Sequence, residues 1–247
     1  GGDFFDKSEA LLDALYVQKD TVFTSVELPS VYQNASVVRS FDFDKDGDLD
    51  VFVGGHTITA QFGAPATSYL LVNENGTFQK NESFDKLAKG MVTDALWTDF
   101  DQDGQTDLIL IGEWMSPKFL NNVNGKFEEA TSLNLSGLWQ TIAPFDIDGD
   151  GDTDYLLGNW GTNSKFKASK QHPMLLFFND FDENGQTETV TAMEKNGKYY
   201  PLENLDGLAA QLVYLRKKYT NYKSFAGQTM EEIFGKEALE KSTILEV

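Results

Sequence analysis

The sequence predicts an all-β fold: a partial β-propeller of four-stranded antiparallel blades, followed by a C-terminal helical segment. Three observations carry this expectation. A nine-residue acidic loop recurs four times in register, and short apolar runs flank each copy. The composition is rich in aromatics and glycine, with 19 Phe, 9 Tyr, 4 Trp and 21 Gly in 247 residues, a mixture that favours strands and turns over a helical bundle.

The first loop is Asp42-Phe43-Asp44-Lys45-Asp46-Gly47-Asp48-Leu49-Asp50. It places acidic side chains at positions 1, 3, 5 and 9 and glycine at 6, with a further carboxylate, Asp48, at 7. Carboxylates converging in so short a loop repel one another in the absence of a cation. Oxygen ligands at this spacing, around a mid-loop glycine that permits a sharp turn, suit Ca²⁺. The second copy sets Asp99, Asp101, Asp103, Gln105 and Asp107 in the same frame. The third sets Asp146, Asp148, Asp150, Asp152 and Asp154. The fourth keeps the frame with Asp180, Asp182, Asn184, Gln186 and Glu188. Asp-rich turns also arise without metal as Asx-turns, but four copies in one frame favour three to four structural Ca²⁺ sites.

Each loop follows an apolar strand, expected at 37–41, 93–98, 141–145 and 175–179. Three loops lead into a second strand that ends in glycine, at 51–54, 108–112 and 155–158; 189–193 fits as a strand without that glycine. These runs are too apolar to be half-exposed and read as strands buried on both faces. Hairpins complete the units: 68–78 turns at Asn75-Gly76, 118–127 repeats the pattern, and 14–23 does so with a less typical turn. Strand, loop, strand, connection and hairpin make a propeller blade, and blades must stack because one sheet cannot cover its own faces. A sandwich built from the same strands is the alternative.

Gly1-Gly2 aligns with Gly54-Gly55, so residues 1–30 are expected to supply only the outer hairpin of an earlier blade. Blades follow at 36–81, 91–131 and 138–165, with a shorter unit at 174–201. The third blade has no clear outer hairpin. The expectation is therefore a segment of a longer protein, divided into a propeller part at 1–202 and a helical insertion or extension at 203–247. In that tail Leu205, Leu208, Ala209, Leu212 and Leu215 have helical spacing, with Arg216, Lys217 and Lys218 at the C-terminal end. Thr229 and Glu232 form a capping-box pattern that opens a second helix. The segment reads as an amphipathic insertion packed on the propeller, with a partner-binding helix pair as the alternative.

The formal charge of −19 argues against nucleic acid as a partner, since phosphate contact needs a basic surface. Much of the excess is local, because the four loops hold 18 of the 39 acidic residues. There is no cysteine, hence no disulfide framework, zinc ribbon or thiol catalyst. No apolar run reaches the length of a membrane span. The two histidines, His56 and His172, form no metal-ligand or proton-shuttle spacing, and neither HExxH nor a GxSxG elbow occurs.

The loop followed by a strand ending in glycine resembles the FG-GAP/VCBS repeat of integrin-α-type β-propellers, over residues 1–200. The run also resembles secreted bacterial VCBS-repeat proteins related to the cartilage acidic protein family, particularly through residues 90–101 and Gly112-Glu113-Trp114-Met115. The resemblance implies a seven- or eight-bladed propeller continued by repeats this chain lacks, and an extracellular or cell-surface location. It also implies that the Ca²⁺ loops lie on one face and that the second-to-third strand connections, here 55–67, 112–117 and 159–173, lie on the ligand-receiving face. Those connections carry His56, Glu113, Trp114, Asn159, Trp160 and Lys165. Two tryptophans beside amide and charged groups make a candidate glycan-stacking platform or protein-binding hot spot; packing of both rings between blades is the alternative. The expected function is a Ca²⁺-stabilised extracellular adhesion module that binds a glycan or protein. Alternatives are part of a polysaccharide lyase or hydrolase, or a scaffold docking partners through its helices.

Overall fold

The computed structural model describes residues 8–59, 61–130, 133–161, 164 and 167–247; Gly1 and Gly2 therefore lie outside the described residues. The chain forms two compact units, one of Gly1–Thr59 and Pro65–Trp160 and one of Ala60–Ala64 and Gly161–Val247.

In the first unit, β1 (Leu15–Lys19) and β2 (Val22–Val26) form an isolated antiparallel hairpin. The first blade is β3 (Asn34–Phe41), β4 (Asp50–Ile58), β6 (Tyr69–Glu74) and β7 (Thr77–Lys80), all antiparallel in that order. Between β4 and β6 runs β5 (Gln61–Thr67), whose Ala66 and Thr67 pair with the first strand of the next blade. The second blade is β8 (Lys89–Thr98), β9 (Asp107–Met115), β10 (Lys118–Val123) and β11 (Lys126–Glu129). The third has β12 (Gly137–Phe145) paired with β13 (Asp154–Asn159). The strands are thus longer than the apolar runs alone indicate, and the connection expected at 55–67 is largely β-structure.

Alternation along the strands explains how the blades stack. Leu108 and Leu110 of β9 join Phe52, Leu70 and Phe84 in one buried cluster. Their neighbours Ile109 and Ile111 point the other way, into a second cluster with Trp139 and Ile142. Phe52 and Leu70 face the second blade, whereas Val53, Tyr69 and Leu71 face Leu28 and Val31. A period-two strand that is apolar at every position can bury both faces only when sheets lie on both sides of it. Burial on both faces holds for β4, β9 and β6. It fails for β3, the loop-proximal half of β12 and β13, where Val38, Phe145 and Leu156 are exposed, so the expectation is corrected there.

The glycine ending each second strand has a steric cause. A Cβ on Gly54 would stand 2.5 Å from Val37 Cγ1, one on Gly112 would stand 2.2 Å from the Met91 carbonyl, and one on Gly158 would stand 2.9 Å from Thr141 Cγ2. Beside each glycine the first strand carries one extra residue: Ser36, Thr93 and Gln140, each six residues before its loop. Two of these bulged side chains tie the blades together. Ser36 Oγ donates to the Val92 carbonyl (2.5 Å) and Thr93 Oγ1 to the Trp139 carbonyl (2.8 Å). Asp94 adds a second tie: it pairs with Arg39 of β3 at 2.5 Å and accepts from the Thr141 hydroxyl and the Ile142 N–H of β12, both at 3.1 Å.

In the second unit, β14 (Met174–Asn179), β15 (Glu188–Lys195) and β16 (Lys198–Pro201) form a sheet whose other edge is β17 (Thr243–Glu246), paired antiparallel to β14. Five short helices connect them: α1 (Leu205–Gln211), α2 (Leu215–Lys218), α3 (Tyr222–Phe225), α4 (Met230–Phe234) and α5 (Lys236–Lys241). Leu205, Leu208, Leu212 and Leu215 all enter one core with Phe177, Val190 and Ala192. The helix expected across that spacing breaks after Gln211, where Leu212 leaves helical geometry (φ −117°, ψ 77°). The Thr229 capping box forms in both directions, at 2.8 and 3.2 Å. The strand at 243–246 has no counterpart in the sequence-based expectation, which ended the chain in helix. Thr243 and Ile244 are β-branched, but so short a run becomes a strand only because β14 offers it an edge.

Candidate metal centres and the opposite strand ends

Each acidic loop bridges the first and second strands of its sheet, so the loop ends are fixed by the ladder. In all four, the structure brings together positions 1, 3 and 9: Asp42, Asp44 and Asp50; Asp99, Asp101 and Asp107; Asp146, Asp148 and Asp154; Asp180, Asp182 and Glu188. Within each group one oxygen from each residue lies within 4.8 Å of the others. The backbone is shaped by a ladder of side-chain acceptors. Position 1 accepts from the position 6 glycine, as Asp42 from Gly47 at 3.1 Å and Asp99 from Gly104 at 3.0 Å. Position 5 accepts from position 7, as Asp46 from Asp48 at 2.8 Å and Asn184 from Gln186 at 2.7 Å.

Asp46, Asp103 and Asp150 at position 5, and Asp48 and Asp152 at position 7, stand outside these groups. Asn184, Gln105 and Gln186 complete the same turns through the amide geometry described above. The Asp48 carboxylate instead accepts from the Asn75 N–H at 2.7 Å, which ties the loop to the neighbouring hairpin turn.

Position 9 is the buried anchor. Asp50 and Asp107 are fully buried, and each accepts from the position 2 N–H and from an asparagine N–H of the third strand: Asn73 at 2.9 Å for Asp50, Asn122 at 2.8 Å for Asp107. Asn122, itself buried, also donates to the Phe43 and Thr106 carbonyls, both at 3.0 Å. These asparagines were not singled out from sequence. Their signal was present: each lies three residues before its hairpin glycine and accepts that glycine's N–H.

The donor set fits a hard divalent cation. Asp42 Oδ1, Asp99 Oδ1 and Asp182 Oδ1 are buried oxygens that accept no hydrogen bond, which is costly unless a cation supplies the missing partner. All ligands are oxygen, as Ca²⁺ prefers. Burial, reinforced by Asp44 and Asp46, pushes the Asp50 carboxyl up to about 6. Burial raises Asp107 as well, with Asp101 and Asp103 adding to it, and raises Glu188 beside Asp182 and Asp180. A bound Ca²⁺ would supply the positive charge that holds these groups ionised.

Against this geometry, a family model described as FG-GAP-like repeat matches residues 42–110 and 99–157. Residues 42–157 are thus similar to FG-GAP-like repeats. No curated protein matches the chain. The matched FG-GAP-like repeats contain the first three acidic loops and the second strands that follow them, and the stacked four-stranded sheets agree with a propeller.

At the strand ends away from the loops, the sheets bring together three polar side chains from successive blades. His56 Nε2 lies 3.5 Å from Glu113, and Gln140 Nε2 donates to the other Glu113 oxygen at 2.8 Å. The bond from His56 holds the Glu113 carboxyl below the usual range, against partial burial and with help from Gln140. Asn159 accepts from the Leu138 N–H at 3.0 Å. Trp160 is 47% exposed, but Trp114 is 7% exposed, with a left-handed backbone (φ 57°). The two rings therefore do not form the paired exposed platform expected from sequence: continuation of β9 through Met115 carries Trp114 into the interior. Lys165 lies outside the described residues.

Proposed function

We propose that this chain is a Ca²⁺-stabilised extracellular binding module of the adhesion type, in which the metals support the fold and a glycan or protein ligand is received at the strand ends away from the loops. The convergence of positions 1, 3 and 9 in all four loops, with a buried oxygen that accepts no hydrogen bond in the first, second and fourth, carries the metal part of this reading. Four residues on that far side, His56, Glu113, Gln140 and Trp160, supply a polar and aromatic surface of the kind that glycans and protein hot spots use. FG-GAP-like repeats over 42–157 support the extracellular setting. Among the described residues no helix is long and apolar enough to cross a membrane.

Thermal unfolding with and without chelator tests the metal part. With a site affinity near 10 µM and about 1 mM Ca²⁺, each occupied site adds about 2.7 kcal/mol, so chelation should lower Tm clearly. An unchanged Tm would refute the structural role of the loops. For the ligand, binding on a glycan array and to a panel of extracellular-matrix proteins should require Ca²⁺ and weaken in Trp160→Ala and Glu113→Gln. Binding indifferent to both substitutions would place the ligand elsewhere.

A further inference from the structure

The fourth residue of each acidic loop has a left-handed backbone: Lys45 at φ 64°, Gln102 at 61°, Gly149 at 76° and Glu183 at 58°. In two of the loops the side chain at this position reaches the next loop along the unit. Lys45 Nζ donates to the Gly104 carbonyl of the second loop at 2.8 Å. Gln102 Nε2 donates to Asp152 Oδ1 of the third loop at 2.6 Å. Both acceptors belong to the turn that shapes a metal group. The Gly104 N–H is held by Asp99 Oδ2, and the Asp152 N–H by Asp150 Oδ1 at 2.8 Å. In the third loop position 4 is Gly149, which has no side chain to extend the relay.

We propose that Lys45 and Gln102 couple the first three loops, so that Ca²⁺ binding at one raises the affinity of its neighbour. The inference rests on the reading of the loops as Ca²⁺ sites. A cation in the second loop fixes the turn around Gly104 and with it the anchor for Lys45. Lys45 lies between Asp44 and Asp46, so holding it orders the first loop before its own cation arrives. The same argument links the second and third loops through Gln102. Coupling of this kind is reciprocal, and it acts through the ordering cost that the second binding event no longer bears. For solvent-exposed hydrogen bonds the effect is small, about two- to five-fold in affinity per link.

The test is a CaCl₂ titration of the intact chain, by calorimetry and by amide exchange read at each loop. Variants are Lys45→Ala, Lys45→Gln and Gln102→Ala, all exposed positions. The wild type should fill loops one to three together, with a Hill coefficient above one. Lys45→Ala should weaken the first two loops about two- to five-fold and speed amide exchange at Asp46 to Asp48. Lys45→Gln keeps a donor without the charge and should restore coupling. Gln102→Ala should uncouple the third loop. Normal Ca²⁺ uptake with independent sites, unchanged by Lys45→Ala and Gln102→Ala, overturns the coupling alone. Failure of every loop to take up Ca²⁺ overturns the calcium reading and the coupling with it.

Discussion

Asp50 is fully buried, accepts the Phe43 and Asn73 N–H groups, and faces Asp42 and Asp44. Its carboxyl is raised to about 6, from an ordinary 3.8. A folded-state pKa above the unfolded one means that the fold favours the protonated acid. In the metal-free protein that contribution is present below about pH 4 and is lost as pH rises through 6. Ca²⁺ reverses the preference because only the carboxylate is a ligand. The difference in Tm between Ca²⁺-loaded and chelated protein should therefore be small near pH 5 and large near pH 7.5. Asp50→Asn should flatten that pH dependence, and a gap independent of pH would contradict the assignment. Phe43, at the second position of the same loop, is buried in the cluster that includes Phe52, Phe84 and Phe127, with Trp97 stacked against it at 6.2 Å. Phe43→Ala should cost about 3–5 kcal/mol in urea unfolding at saturating Ca²⁺. The loop pattern made the carboxylates legible, but it did not distinguish the three that converge from those that shape the turn. That distinction depends on which N–H groups each oxygen meets.

Among the elements, the bulged first strand does the work that links blades. Ser36 and Thr93 occupy corresponding positions, and each hydroxyl donates to the next blade's backbone. Thr93→Val keeps the shape and removes the donor, so chemical denaturation should show a loss of about 1 kcal/mol, with Thr93→Ser close to wild type. Equal stability of all three proteins would remove the tie from the account. The bulge is hard to read in sequence because Ser36, Thr93 and Gln140 share only a donor group. The same limit applies to the tail. Leu205 to Leu215 keep helical spacing across a break, since periodicity reports which side chains face the core and not whether the backbone is continuous. Strand β17 likewise depends on the edge of β14, a partner about 70 residues away in the chain.

For the whole molecule, a formal charge of −19 makes self-repulsion a general load on the folded state. Much of that charge sits in the loops, where Ca²⁺, when bound, would neutralise it locally, whereas added salt only screens it. Raising NaCl from about 0.05 to about 0.5 M should therefore raise Tm more for chelated than for Ca²⁺-loaded protein, as the Debye length contracts. A larger salt effect on the loaded form would mean that the repulsion resides outside the loops.

By itself the sequence determined the all-β repeat, the positions of the four loops and the glycines that end the second strands. Those features are local: a turn needs its left-handed residues, a strand its apolar period, and both are written within ten residues. Only the tertiary structure decided that positions 1, 3 and 9 converge and that Asn73 and Asn122 support position 9. It likewise placed Trp114 inside and Trp160 outside, and joined successive loops through Lys45 and Gln102. Each of these depends on groups from separate strands or blades, and their proximity follows from how the sheets stack rather than from spacing along the chain.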